Sequence, residues 1–551
     1  MALLVVALLT PTCSAYWPTL QGNSARQGRL SYPYIRTPPP SDSFRKWSAN
    51  LSSPDYLDLD LPPYTFGTPA VDSNGTVYAT YATSVAPLYS GIVAIFPDGT
   101  KRWILGLDTS TGLVAKGSVT LSEDEKLLYV VASNSVAKAV FYALYTDSGT
   151  EAWRYTASFS LQGISEPVVY ESAVVMGDSR QLYYFADGTR PQLTWKYNYY
   201  IQANNTENVY RVAPSISLYN ADIIFTCERK YILSLFIDDA TLKWVTPLTC
   251  NNTLGCDMTG NAASIGDDGT IFVPALDKYN VTTLLVNETT NETTTIDTPH
   301  SDFYLFTINA GGRVRHRLKL SSTTEGIGMW QIPAVSVNSQ YVYVGGYQPE
   351  ANLWRVNIQL QNFTSVLQLN GNASSPPIAT AGGRGYVVDS TSDLYAYNAV
   401  DAIDSWTTPF GDQHYYSSMA FGEDGTIFIS DSTSGGLFAY GCPTGTQVGS
   451  SGACVPCPAG TYFVTDGRAL CPQCPKGKVS DGGGDVSSCQ FCPSDSIPSA
   501  DQTKCVECPA GSQPSFDLTS CTASTPTTTS GSAHRSRSAL SLFFSSAFFS
   551  A

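Results

Sequence analysis

The stretches "AIFPDGTKRW" (Ala94–Trp103) and "ALYTDSGTEAW" (Ala143–Trp153) follow one pattern. Each has a small apolar run, an acidic turn, a Gly-Thr and then a single tryptophan. The pattern returns as "YFADGTRPQLTW" ending at Trp195, "LFIDDATLKW" ending at Trp244 and "YAYNAVDAIDSW" ending at Trp406. A second signal alternates with it: "DSNGTVYAT" from Asp72, "GDDGTIFVPA" from Gly266 and "GEDGTIFISD" from Gly422. Asp-Gly and Asn-Gly supply the positive φ angles that tight hairpin turns need. Flanking segments such as "LLYVVAS" and "YVYVGGY" alternate apolar and polar residues, which is the strand period. No long helical period interrupts them. Each unit reads as four short antiparallel strands, and repeats of this kind, about 40–60 residues long, are propeller blades.

Eight blades are expected, beginning near Phe66, Ala115, Ile164, Val212, Met258, Met329, Asn372 and Tyr415. Seven is the alternative count, because the fifth and sixth carry degenerate motifs and an insertion. The eighth runs into cysteines after its third strand. "FRKWSANL" (Phe44–Leu51) carries a tryptophan where an outer strand should, so it is expected to complete that blade and close the ring.

The Asp-Gly-Thr-x-Tyr turn, the Leu-Tyr-Ala-Leu strand and the Gly-Thr-x-x-Trp ending resemble the repeats of pyrroloquinoline-quinone-type (quinoprotein alcohol dehydrogenase-like) β-propellers. "WPTLQGNSARQGRL" from Trp17 is similar to the lead-in of that superfamily. The resemblance implies an all-β propeller over residues 16–441. It does not fix activity, because the superfamily holds both quinone enzymes and cofactor-free scaffolds. Its catalytic members carry a disulfide between adjacent cysteines, a calcium ion held by Glu, Asn and Asp, and an Asp base. This sequence has no adjacent cysteine pair, and no residues match the calcium ligands. The acidic clusters "GDDG", "GEDG" and "SEDE" fall at hairpin turns, where Asp-Gly has a structural reason to be. No catalytic, cofactor-binding or metal-binding residue is assigned, and no cofactor is expected.

Residues 442–521 differ in composition. Ten of the 14 cysteines lie there, as Cys442, "CVPC", "CPQC", "CQFC", "CVEC" and Cys521. This segment resembles the ephrin-receptor-like cysteine-rich repeats of extracellular proteins. A tiling of consecutive pairs is expected: Cys442–Cys454, Cys457–Cys471, Cys474–Cys489, Cys492–Cys505 and Cys508–Cys521. Such bridges replace the core that small units cannot build. Zinc is the alternative for a CxxC ladder. Cys250 and Cys256 flank "NNTLG" and are expected to staple it, while Cys227 in "DIIFTCERK" is expected to pack as a thiol.

The flanks and sequons suggest export. Residues 1–15 read as a signal peptide with the apolar run "MALLVVALL" and a small residue at Ala15. Sequons occur at Asn50, Asn204, Asn251, Asn280, Asn287, Asn291, Asn362 and Asn372, and also at Asn74 in a tight turn expected to stay bare. "NVTTLLVNETTNETTTIDT" is expected to be a glycosylated surface loop. Residues 522–551 hold a Thr/Ser-rich stalk, small residues at Ser530 and a short apolar tail. They read either as a glycosylphosphatidylinositol anchor signal at Ser530 or as a frayed end.

The net charge of −15 argues against nucleic acid or anionic membrane as a partner. His300, His316, His414 and His534 are far apart in sequence, and no hydrolase elbow, Walker loop or zincin motif is present. The expected function is non-catalytic binding or adhesion, secreted or at the cell surface, with an unidentified protein or glycan ligand. The only expected membrane contact is the lipid anchor, and the oligomeric state is left open. A quinoprotein-type dehydrogenase and a structural wall or matrix protein are the alternatives. The tyrosine-rich stretches "WKYNYYIQANNTENVYR" and "FGDQHYY" are the expected contact loops.

Overall fold

The computed structural model describes residues 29–30 and most of 45–523; the larger stretches outside this description are 52–63, 158–164, 200–215, 257–262, 287–292, 324–333, 399–405, 410–415 and 483–488. Every named element is a β-strand. Eight antiparallel sheets follow one another along residues 45–440, so the chain forms an eight-bladed ring. Blade 1 pairs Tyr64–Val71, Val77–Ala82, Ser90–Ile95 and Lys101–Gly106 in that order. The innermost strands of blades 2 to 8 begin at Val114, Val168, Ile216, Ser264, Ala334, Ile378 and Tyr416, each within a few residues of the sequence reading.

Blade 8 is completed from the other end of the chain. Arg45–Asn50 pairs antiparallel with Gly436–Tyr440, with Asn50 opposite Gly436. Arg29–Leu30 adds a parallel pair to Ile378–Thr380 of blade 7. The N-terminal strand thus supplies the outer strand that blade 8 would otherwise lack and joins the two ends of the propeller sequence within one blade.

Five of the repeated tryptophans form joints between blades; the side chain of the sixth, Trp406, lies outside the described residues. In each case the indole Nε1 donates to a carbonyl in the third-to-fourth-strand turn of the next blade: Trp47 to Pro97 (2.8 Å), Trp103 to Thr146 (2.8 Å), Trp153 to Gly188 (2.7 Å), Trp195 to Ile237 (2.8 Å) and Trp244 to Ala310 (3.0 Å). The turn glycine receives the ring. Gly99 has φ +89°, and a Cβ there would lie 2.7 Å from Trp47 Cγ; at Gly149 it would lie 2.5 Å from Trp103 Cε3. Within "AIFPDGTKRW", then, the glycine serves the tryptophan of the preceding blade and the tryptophan serves the following one. Blade 4 has Ala240 at the glycine position, held at φ +58°. Between blades 5 and 6 the joint differs: Trp354, on the third strand of blade 6, packs against Phe303 of blade 5 at 6.1 Å.

The hydrophobic core lies between blades. One cluster runs from Val71 and Val93 of blade 1 through Ile427 and Leu437 of blade 8 to Tyr386 and Val388 of blade 7. Leu127–Ser133, read from the sequence as alternating, is instead a near-continuous apolar run, because the strand is buried on both faces between neighbouring blades.

The stretch expected to be a loop in blade 5 is a hairpin arm. Ile271–Val286 and Thr293–Ile308 pair in unbroken register, from Ile271 opposite Ile308 to Val286 opposite Thr293. Threonine, valine and leucine favour the extended backbone even where the strand leaves the blade.

Strand direction alternates, so the ring has two unlike faces. One face carries the first-to-second and third-to-fourth-strand turns, such as 72–76, 96–100 and 422–426. The other carries the second-to-third connections, including the arm, and the links between blades. The links from Asn198 to Ile216 and from Pro247 to Ser264 are the longest of these.

Candidate functional site

Cys442 opens a rod of small disulfide-linked units. The bridges are Cys442–Cys454, Cys457–Cys471, Cys474–Cys489, Cys492–Cys505 and Cys508–Cys521, and in the propeller Cys250–Cys256 closes a short loop. The bridges occupy the thiols that a zinc site would need. Cys227 ends strand Asp222–Cys227, and its side chain lies outside the described residues.

Each unit is tied to the one before it through the second cysteine of a CxxC pair. The amides of Cys457, Cys474, Cys492 and Cys508 donate to the carbonyls of Gly445, Gly460, Gly477 and Asp495 at 2.8–3.2 Å. The acceptor always lies three residues after a cysteine, in the repeated Cys-Pro-x-Gly or Cys-Pro-Ser-Asp turn. This spacing was present in the sequence and is the signal for the coupling.

The acidic turns are committed to the fold. Asp72 Oδ1 accepts the amides of Asn74 (2.9 Å) and Thr76 (2.8 Å), and Asp268 Oδ1 accepts that of Thr270 (2.9 Å). Asp124 Oδ1 takes the Ser122 hydroxyl at 2.7 Å. Buried tyrosines use some of the same carboxylates: Tyr78 donates to Asp72 (3.0 Å), Tyr183 to Asp178 (2.7 Å) and Tyr395 to Asp389 (2.9 Å). Burial first, and then the neighbouring carboxylate, raises the Tyr78 and Tyr183 hydroxyls well above their ordinary range, so they act as donors at any physiological pH. Among the described residues no group of three or more His, Cys, Asp or Glu side chains is arranged to hold a metal ion.

Three places gather polar groups. At the inner ends of blades 1 to 3, the Thr68 amide donates to Ser118 Oγ (2.8 Å), whose hydroxyl donates to Glu166 Oε1 (2.6 Å). At the root of the arm, Asp302 accepts Lys319 (2.8 Å) and the hydroxyls of Ser322 (2.6 Å), Tyr304 (3.1 Å) and Tyr279 (3.2 Å). Burial would raise its carboxyl, but the Lys319 and Ser322 contacts more than offset this and hold it low. Asp277, opposite Asp302 in register, has Arg317 at 3.8 Å. Two carboxylates thus meet two cations, and the charge is balanced. The third place joins the rod to the ring. Asp424 Oδ2 accepts Lys46 Nζ at 2.9 Å and the Ala469 amide at 2.7 Å, while Thr426 closes the turn.

The two described histidines lie on different strands of blade 5. His300 stacks on Tyr279 in the arm (5.7 Å) and His316 lies on the outer strand of blade 5, whereas His414 and His534 are outside the described residues. Asn50, Asn280 and Asn362 are exposed and Asn372 is half-buried. The Asn204, Asn251, Asn287 and Asn291 sequons, the Ser530 signal, the signal peptide and most of the two tyrosine-rich loops also lie outside the description. Asn74 is exposed at the turn beside Arg468, whose Nη1 donates to the Ser73 carbonyl at 3.1 Å.

Fold and bridges together define an eight-bladed β-propeller followed by a disulfide-rich module. Comparison with known proteins gives the particular likenesses. The family described as outer membrane protein assembly factor BamB matches residues 89–304. No curated protein matches the chain. Among solved structures, quinohemoprotein alcohol dehydrogenase from Comamonas testosteroni is similar at a TM-score of 0.50 and 13% identity, over 77% of this chain and 80% of that one. BamB from Moraxella catarrhalis is similar at 0.45 and 12%, over 72% of this chain and 99% of that one. A europium-containing methanol dehydrogenase is similar at 0.46 and 11%, over 76% and 90%. At these identities the likeness is one of fold. Such a propeller with a disulfide-rich end is consistent with a binding protein.

Proposed function

We propose that the chain is a non-catalytic recognition protein of the extracellular surface, with the propeller as its binding head and the cysteine-rich rod as its stalk. The observation that carries this reading is the inequality of the two faces. On one, the turn carboxylates are consumed by their own backbone; on the other, the blade 5 arm extends from the ring. Variable loops on a fixed scaffold are the usual seat of binding. Six disulfides suit an extracellular or periplasmic compartment. No helix among the described residues is long and apolar enough to cross a membrane. The exposed sequons at Asn50, Asn280 and Asn362 favour secretion, and the ephrin-receptor-like spacing of the cysteines favours a surface protein. The ligand class we favour is a protein or a glycan. A lipid anchor attached at Ser530 would tether the stalk, and release from cells by a phosphatidylinositol-specific phospholipase tests it.

The quinoprotein likeness makes a dehydrogenase the second reading. Supplying pyrroloquinoline quinone and calcium to the purified chain, with short alcohols and an electron-accepting dye, separates the two. The recognition reading expects no dye reduction above the quinone blank; calcium-dependent turnover would replace it with an enzyme.

A further inference from the structure

We propose that the cysteine-rich module is clamped to the short-turn face of blades 8 and 1. The rod thereby fixes the orientation of the head and leaves the long-connection face pointing away from the stalk. The clamp has two points. The Ala469 amide donates to Asp424 Oδ2 (2.7 Å), in the turn 422–426 of blade 8. Arg468 Nη1 donates to the Ser73 carbonyl (3.1 Å), in the turn 72–76 of blade 1. Asp466 of the same module holds the Arg468 guanidinium at 2.6 Å, which sets its direction. The Arg468 stem lies against Gly75, where an added Cβ would sit 3.1 Å from Arg468 Cδ.

These contacts fall on the seam of the ring. Asp424 also holds Lys46 of the N-terminal closing strand, and the side chains of both are almost fully buried. One carboxylate therefore ties together the strand that closes the propeller, the blade it completes and the second disulfide loop of the stalk. Arg468 and Ala469 lie inside the loop closed by Cys457–Cys471, so the docking segment is constrained before it docks. Further along, the Cys474 amide to Gly460 carbonyl bond (2.9 Å) passes the fixed orientation to the next unit.

Three of the sequons lie toward the opposite face, whereas Asn362, at the third-to-fourth-strand turn of blade 6, and Asn74, beside the clamp, lie on the short-turn face. Asn50 lies opposite Gly436 at the far end of its strand, the Asn372 amide donates to Ser390 Oγ in the second-to-third-strand turn of blade 7, and Asn280 is in the arm. The clamp stands on these contacts alone. Only the statement that the long-connection face meets a partner rests on the recognition reading.

Hydrogen exchange of the full mature chain, read by mass spectrometry, tests the clamp. In the wild type, the 466–471 segment should exchange slowly, together with 422–426. Arg468→Ala should speed exchange of 466–471 about tenfold or more, as expected for loss of a charge-assisted bond, while strand Ile427–Asp431 stays protected. Arg468→Lys, which keeps the charge without the fork, should fall between. Free exchange of 466–471 in the wild type, or no change in both variants, would overturn the proposal. A chain that keeps this protection but binds no ligand removes the recognition reading and leaves the clamp in place.

Discussion

Trp47 and Gly99 meet across the closure of the ring: the indole of the N-terminal strand lies over the glycine of blade 1, and its Nε1 donates to Pro97 at 2.8 Å. The joint matches the one Trp103 makes with blade 2, although its tryptophan comes from the other end of the propeller sequence. Trp47→Ala should therefore cost about 3 kcal/mol, the low end for a large aromatic, because Trp47 is only half-buried. Trp47→Phe keeps the ring but loses the donor, and should cost about 1 kcal/mol. Chemical denaturation of both variants measures this.

The sockets give an opposed pair of substitutions. Gly99→Ala puts a methyl group into Trp47 at a positive φ and should destabilise by more than the roughly 1–2 kcal/mol of left-handed strain alone. Ala240→Gly removes such strain and should be neutral or stabilising. Melting temperatures moving the same way in the two variants would contradict the socket geometry.

Lys46 and Asp424 form a buried pair, and removing one partner should cost about 3–5 kcal/mol. In a double-mutant cycle, Lys46→Met with Asp424→Asn should be less destabilised than the sum of the two singles. Burial would raise the Asp424 carboxyl, but the Lys46 charge and the Ala469, Thr426 and Lys46 hydrogen bonds more than compensate and hold it low. Its folded pKa lies below the unfolded one, so the stabilisation is present above about pH 4 and is lost as pH falls through the folded value. Asp424→Asn should flatten that part of the acid unfolding curve.

The disulfides should differ by position. Loss of Cys457–Cys471 frees the segment that docks on blades 8 and 1 and should lower propeller stability as well as that of its own unit. Loss of Cys508–Cys521 should unfold only the distal unit, at about 3 kcal/mol locally, and leave propeller melting unchanged. Calorimetry on the two double-serine variants distinguishes the cases.

The blades were legible because their signals are local. Asp-Gly-Thr turns and alternating strands each lie within a few residues, and Trp47 marked the missing outer strand. The sockets were half legible: glycine and tryptophan stand close together in the motif, but each is paired with a residue in a different blade. The arm was misread because sequons and threonines suggest a polar loop, although the same threonines sustain a strand. The contacts of Arg468 and Ala469 with Ser73 and Asp424 had no sequence pattern, since they join segments far apart in the chain. A ligand is illegible for a related reason: the repeats encode the scaffold, and on the proposed reading recognition would belong to the non-repeating connections between them.

The central claim is that this propeller recognises a partner. The direct measurement is equilibrium binding of the chain, expressed through a secretory pathway, to arrays of extracellular proteins and glycans. The account predicts saturable binding to a defined subset, weakened by substitutions in the blade 5 arm or the blade-to-blade links and unaffected by substitutions on the short-turn face at blades 3 and 4. An absence of saturable binding across both arrays would contradict it and favour a structural wall or matrix role.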